Sequence, residues 1–437
     1  MLKNKILVLS EGPPPLGDTP AEGGSLRAWG LAKGLINHGH KVTFAYRSTF
    51  KIGDYDKQEI PEGITLTVWD GDKIDELLVA HTVIVMRYAM GEAKQIVSRL
   101  EDHHVLVSDN YIPISIEVSA RNSNDEFEQH NFLKLQKSSE IASKRADYIL
   151  YASPAQKNYY LGYLSGINKI NPKTYNQLGD RMFEVPYGVD PDERPKKLSS
   201  LPNNPTLLWY GAFYSWFDME SLINSVRDIS KNIPNFKFIV AGAKNPYNKD
   251  PGILAHYERT MESIKKAGIN VEYIDWHPFK DRFEVYEKAS AIITQNHLGL
   301  ENELAWRTRL MDYVLAHRPI LTNGGDPLGE DLISRKIAFK TTPADLLATF
   351  KYVLENQPDN YRYKDAASRY SWSNVTAELA RSLNNPRRLD SGEMILKRDY
   401  KHSTKVLSSR IMHYPAYIKK NGIRQTASKT KKKLLGK

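Results

Sequence analysis

The stretch KILVLSEGPPPLGDTPAEGGSLRAWGLAKGLINHGHKVTFAYR, Lys5–Arg47, decides the fold. Its first apolar run, Ile6–Leu9, has the length of a buried strand and is too short for a helix. A loop rich in glycine and proline follows. Across Ser25–His38 the apolar residues Ala28, Leu31, Ala32, Leu35 and Ile36 recur at helical spacing. Ser25 is placed to cap this helix and Gly39 to end it. Val42–Tyr46 then reads as a second strand. Strand, helix, strand in this order predicts a parallel pair with a helical crossover.

The same alternation runs outward. Ile64–Trp69, Thr82–Met86, Val105–Val107 and Tyr148–Tyr151 read as further strands. Residues 190–205, DPDERPKKLSSLPNNP, are polar and proline-rich and read as a linker. Beyond them Thr206–Tyr210, Phe236–Ala241, Val271–Ile274, Ala291–Thr294 and Ile320–Thr322 restart the strands. Helical patterns at 219–231, 254–267, 281–290, 303–317 and 343–356 separate or follow them. The expected architecture is α/β: two Rossmann-like domains, 1–190 and 191–371, facing a central cleft. A helix at about 372–390 is expected to pack back on the first domain, and 391–437 form a basic tail. Ligands in such sheets sit beyond the carboxyl ends of the strands, so the cleft is the expected site.

Composition narrows the function. The 437 residues are 41% hydrophobic and 26% charged, as in a soluble globular protein. The chain has no cysteine, which excludes disulfides, thiolate chemistry and Cys-ligated zinc. The N-terminal apolar run is too short for a secretory signal, and no run reaches the about 18–20 residues that span a bilayer. A cytoplasmic location is expected. The net charge is +10, but 397–437 alone hold thirteen Lys or Arg against the single acid Asp399. The remainder is close to neutral, so nucleic acid is not an expected partner.

Candidate chemistry gathers at loops after strands. The first loop lacks the G-x-G-x-x-G spacing of a dinucleotide site. Gly23 and Gly24, just before a helix, still let backbone amides approach an anion. Arg27 in the first turn adds a positive donor, unless it is simply a surface arginine. Asp109 follows the strand at 104–107, where a carboxylate orients an acceptor hydroxyl or a basic neighbour, or else forms a turn with Asn110. The densest cluster is LENELAWRTRLMDY, 300–313. Read as one helix, it places Ala305, Thr308, Arg309, Asp312 and Ala316 on one small, polar stripe. The bland alternative is an Arg309–Asp312 ion pair on an exposed face. Gly324 and Gly325 form a turn whose amides suit a phosphate or sugar, or a plain loop. The histidines and acids show no HExxH pattern, and no metal is expected. No G-x-S-x-G elbow or Walker loop is present.

Taken in order, these segments resemble the retaining, family 4 branch of the GT-B glycosyltransferases over roughly residues 5–390. The resemblance rests on GGSLRAWGLAKGLINHGHKVT from Gly23, VPYGVD from Val185, LWYG from Leu208 and DYVLAHRPI from Asp312. It implies a nucleotide-diphosphate sugar held mainly by the second domain and transferred with retention, without a metal or other cofactor. It also implies front-face transfer, in which the departing diphosphate helps deprotonate the acceptor and no dedicated base is required. The family's second glutamate holds the nucleotide ribose, and Asp312 takes its place. The first should lie eight positions earlier, at Leu304, with Glu301 and Glu303 close by, and both acids are carried over. The family's Arg and Lys after the donor-domain glycine, Gly211, are replaced by Ala212 and Phe217. Arg307 and Arg309 are the best local substitutes for gripping the diphosphate, with Arg27 across the cleft on the acceptor side.

The expected function is therefore glycosyl transfer to a saccharide or lipid-linked acceptor, in bacterial cell-surface polysaccharide synthesis. Two other readings stay open: a GT-B nucleotide-sugar epimerase or phosphorylase, and a non-catalytic binding protein on a degenerate scaffold. In the tail, Leu407, Ile411, Tyr414 and Ile418 recur at helical spacing beside lysines and arginines. Such a segment suits an anionic membrane surface, or else serves as a solubilising tail.

Overall fold

The computed structural model describes residues 5–19, 22–121, 126–194, 201–246 and 251–389. The tail and part of the linker lie outside the described residues. The first sheet contains β1 (Lys5–Ser10), β2 (Lys41–Arg47), β3 (Ile64–Trp69), β4 (Val83–Arg87), β5 (Val105–Asp109), β6 (Tyr148–Tyr151) and β7 (Met182–Glu184). The second contains β8 (Thr206–Tyr210), β9 (Lys237–Ala241), β10 (Val271–Ile274), β11 (Ala291–Thr294), β12 (Ile320–Thr322) and β13 (Ala338–Lys340). Their orders are 3-2-1-4-5-6-7 and 10-9-8-11-12-13, and every ladder is parallel. Each order reverses beside its first strand, at β1/β4 and β8/β11, which opens a crevice at the carboxyl ends.

Alternation along β1 builds two apolar layers. Ile6 and Val8 join Trp29, Leu31 and Leu35 on one face, while Leu7 and Leu9 join Ile84 and Met86 on the other. The first layer continues into the second sheet through Val189, Leu208, Leu310 and Tyr313. The first helix spans Gly23–Asn37, with Glu22 as its N-cap. Ser25, expected as the cap, lies one turn further in, where its hydroxyl accepts from the Glu22 amide at 3.3 Å. Gly39 follows the helix with φ of 80°, a conformation that costs glycine nothing.

The chain passes between the sheets twice, side by side. The Val189 amide donates to Tyr370 O at 2.8 Å, and the Trp372 amide donates to Val189 O at 2.9 Å. The helix Trp372–Ser382 then lies on the helix Gly23–Asn37, with Trp372 against Gly30 and Thr376 against Gly34. Two short edge strands, β7 and β13, were not expected from the sequence.

Candidate active site

A cavity of about 420 Å³ lies between the carboxyl ends of the two sheets. Glu22, Gly23, Gly24, Tyr111 and Glu117 face it from the first domain. Tyr210, Gly211, Trp216, Glu301, Arg307, Arg309 and Asp312 face it from the second.

The segment expected as one helix over 303–317 is two. Leu300–Leu304 and Arg309–Leu315 are helical, and Ala305 between them is extended, with ψ of 145°. The carbonyls freed by this break are taken by the first domain. Gln156 donates to Leu304 O at 2.8 Å and Tyr111 donates to Trp306 O at 2.9 Å. The expected polar stripe from Ala305 to Ala316 therefore does not exist as a continuous face.

The break separates the fates of the two arginines. Arg307 turns back on Glu301, donating at 3.1 and 2.6 Å, and reaches Asn302 Oδ1 at 3.0 Å. Arg309 turns towards β8. Its guanidinium lies 4.5 Å over the Phe217 ring and 5.3 Å from the Trp209 ring. Gly211 leaves room for it: a Cβ there would fall 3.1 Å from the guanidinium carbon, and the φ of 109° also favours glycine. Among the described residues no carboxylate pairs with Arg309, and its Nη1 is buried without a hydrogen-bond partner. Loss of water around it lowers its pKa.

Asp312 does not pair with Arg309, so the bland alternative is replaced. Arg282 Nε donates to Asp312 Oδ1 at 3.2 Å. The other end of Arg282 binds Glu193 at 2.5 Å, and Glu193 in turn binds Lys33 of the first helix at 2.5 Å. Burial raises the Asp312 pKa, with Arg282 opposing. For Glu193, burial is outweighed by Lys33 and Arg282, and its pKa is lowered. Glu117 is raised by withdrawal from water, opposed by Arg121 and reinforced by Glu301.

The other expected residues take different places. Arg27 and Asp109 meet each other: Nε and Nη2 each donate to a carboxylate oxygen at 2.7 Å, and Nη2 also reaches Val185 O at 2.9 Å. Arg27 is 2% exposed, so it is no surface arginine, and Asp109 has neither oxygen free of the guanidinium. Of the expected roles, Asp109 fills the orienting of a basic neighbour. Glu303 is exposed and does not line the cavity. Gly324 and Gly325 also lie off it, and their amides donate to Thr322 Oγ1 at 3.1 Å and Glu330 Oε1 at 2.8 Å. Those two amides serve the turn itself rather than a phosphate. Three Asp-x-Asp spacings also occur, at 54/56, 70/72 and 190/192, and Asp56 accepts from the Gln58 amide at 2.9 Å. Asp70 accepts from the amides of Asp72 and Lys73, and Asp190 binds Lys33 at 3.1 Å. None of the three lines the cleft cavity. Among the described residues no group of three His, Asp or Glu side chains is arranged to hold a metal ion.

Tyr111, Gln156, Arg282 and Glu193 were missed from the sequence. Their roles depend on partners 30 or more residues away, and no local pattern marks such pairs.

No family profile matches the chain, and no curated protein does. Solved structures do. The sucrose-phosphate synthase of Thermosynechococcus elongatus is 15% identical, covering 93% of this chain and 100% of that one, with a TM-score of 0.56. AviGT4, a glycosyltransferase involved in avilamycin A biosynthesis, is 14% identical over 89% and 100%, with a TM-score of 0.55. WaaG, a glycosyltransferase involved in lipopolysaccharide biosynthesis, is 12% identical over 87% and 99%, with a TM-score of 0.55. The likeness is one of fold: this chain has the two-domain GT-B architecture of glycosyltransferases.

Proposed function

We propose that this protein transfers a glycosyl group from a nucleotide-diphosphate sugar to a saccharide or lipid-linked acceptor. One observation carries the reading. The guanidinium of Arg309 stands against Gly211 and Phe217, beside the position from which the family's phosphate-binding cations are missing, and no carboxylate among the described residues neutralises it. A partly buried cation of this kind is suited to an anion, and a leaving diphosphate is the anion that a GT-B cleft would bring there. Asp312, with Oδ1 on Arg282, leaves its second oxygen for a ribose hydroxyl. Glu301, held by Arg307, faces the donor sugar.

Retention and independence from metal rest on the family resemblance, as does a role in bacterial surface-polysaccharide synthesis. The basic tail, by its sequence, suits docking at the inner face of the membrane. Liposome co-sedimentation of the full chain against one ending at Asn385 tests that docking, and equal binding would refute it.

The test of the main reading is a thermal-shift screen with ADP, GDP, UDP, CDP and dTDP and their sugars, on wild type and Arg309→Ala. Stabilisation by one base is expected, about 2.7 kcal/mol at a hundredfold excess over Kd. In Arg309→Ala, donor turnover should fall roughly 100-fold, the loss of a charge-assisted contact of about 2–3 kcal/mol. Near-normal binding and turnover in that variant would remove the diphosphate role from Arg309.

A further inference from the structure

A second cavity, about 270 Å³, opens off the cleft under the carboxyl ends of β1, β4 and β5. It shares Glu22, Gly23, Gly24, Arg87, Tyr111 and Ile112 with the first, so the two form one continuous space. Its charged lining is three arginines, Arg27, Arg47 and Arg87, and three acids, Glu11, Glu22 and Asp109. The arginines are matched. Asp109 takes Arg27 through both oxygens. Glu11 binds Arg87 through one oxygen and Arg47 through the other at 3.4 Å, and Arg47 also binds Glu92.

The cationic end of the cleft is built differently. Arg309 faces it with no carboxylate partner among the described residues, which is what an anion needs. In the second cavity three guanidinium groups already face four carboxylates, Glu11, Glu22, Asp109 and the Glu92 that binds Arg47, so an entering phosphate or carboxylate finds no uncompensated positive charge unless it displaces one of them. That leaves a charge unpaired in a poorly hydrated place, a large penalty. Neutral hydroxyls face no such barrier. They accept from N–H groups and donate to carboxylate oxygens at once.

We infer that this cavity is the acceptor subsite and that it takes an uncharged, hydroxyl-bearing sugar, not a phosphorylated or uronic one. The inference rests on the glycosyltransferase reading and names its substrate class. Glu11 sets the selectivity, because its single charge serves two guanidinium groups.

The experiment uses the full chain and the nucleotide sugar that stabilises it most. Benzyl glucoside, galactoside and mannoside are offered beside their uronic acids and 6-phosphates. The readout is nucleoside diphosphate released above the acceptor-free rate. Neutral glycosides should raise release, and the anionic counterparts should be at least about tenfold less effective, a difference of about 1.4 kcal/mol. Glu11→Gln removes the shared charge and should raise the anionic-to-neutral ratio about tenfold or more. Arg47→Gln is the second variant, and there benzyl glucosaminide should gain on the neutral glycosides. Anionic acceptors that outperform neutral ones in wild type overturn the inference. So does turnover of the donor with no neutral glycoside accepted, or an unchanged ratio in a folded Glu11→Gln. Failure of every nucleotide sugar to bind would instead strike the donor reading, and is seen before any acceptor is added.

Discussion

At Gly23 and Gly24 an added Cβ would meet no atom of the protein within 4 Å, and neither residue has a positive φ. The fold therefore makes no demand for glycine there. Alanine early in a helix should even stabilise, by about 0.5–1 kcal/mol, because glycine loses more backbone freedom on folding. The empty space in front of both residues is the cleft. Gly24→Ala is thus expected to keep or raise Tm while weakening nucleoside diphosphate binding by about tenfold, since a Cβ takes the place where a phosphate meets the amides. Calorimetric titration beside a melting curve reads both, and a joint loss of Tm and affinity would point to packing instead. Gly211 is the opposite case, fixed by its φ and by Arg309 together. At this scale the sequence allowed both Arg307 and Arg309 as diphosphate cations. It could not separate them, because the Glu301–Arg307 pairing requires the break at Ala305, and that break is held by Gln156 and Tyr111 from the other domain.

Elements were legible where they are long and buried. The strands Ile6–Leu9 and Thr206–Tyr210 and the helix ending before Gly39 follow from apolar period and punctuation alone. The missed strands β7 and β13 have three residues each at sheet edges, too few to show any period. The helix Pro327–Ser334 carries a testable pH dependence. Its N-cap, Asp326, is 0% exposed; Oδ1 accepts from the Gly329 amide at 2.8 Å, and Oδ2 is buried without a partner. Burial raises this carboxyl from 3.8 to about 6. Between those values the native state keeps a proton that the unfolded chain has lost. Stability therefore falls as pH rises from about 4 to 6, by up to roughly 3 kcal/mol for this group, and then levels. Asp326→Asn keeps an oxygen for the cap without the charge. Its Tm should gain on wild type steadily from pH 4 to 6 and run parallel above that. A gap independent of pH would show that Asp326 titrates normally.

On the scale of the molecule, one helix joins the working parts. Gly23–Asn37 presents its amino end to the cleft, and Lys33 on it binds Asp190 and Glu193 beside the first crossing. Glu193 passes the contact to Arg282 and so to Asp312 in the cavity. The middle of the helix lies under Trp372, on the second crossing, and Trp372 meets Tyr187, which lines the cleft, edge-on at 5.2 Å. The two-sheet plan could be read from alternation, but this convergence could not, since it joins residues more than 300 positions apart. Gly30 is its tightest point: a Cβ there would fall 1.9 Å from a carbon of the Trp372 ring, so Gly30→Ala must push the indole aside. Overpacking of this kind typically costs about 1–3 kcal/mol. The penalty should nearly vanish when Trp372→Ala has already emptied the space, giving a coupling of about 0.5–3 kcal/mol between two contacting positions. Tm of the four proteins in that cycle tests this. The same displacement should weaken nucleoside diphosphate binding in Gly30→Ala, because Tyr187 and the Lys33–Glu193–Arg282 chain lose their common support. If Gly30→Ala melts early but binds the nucleotide as wild type does, the helix braces the fold without setting the geometry of the cleft.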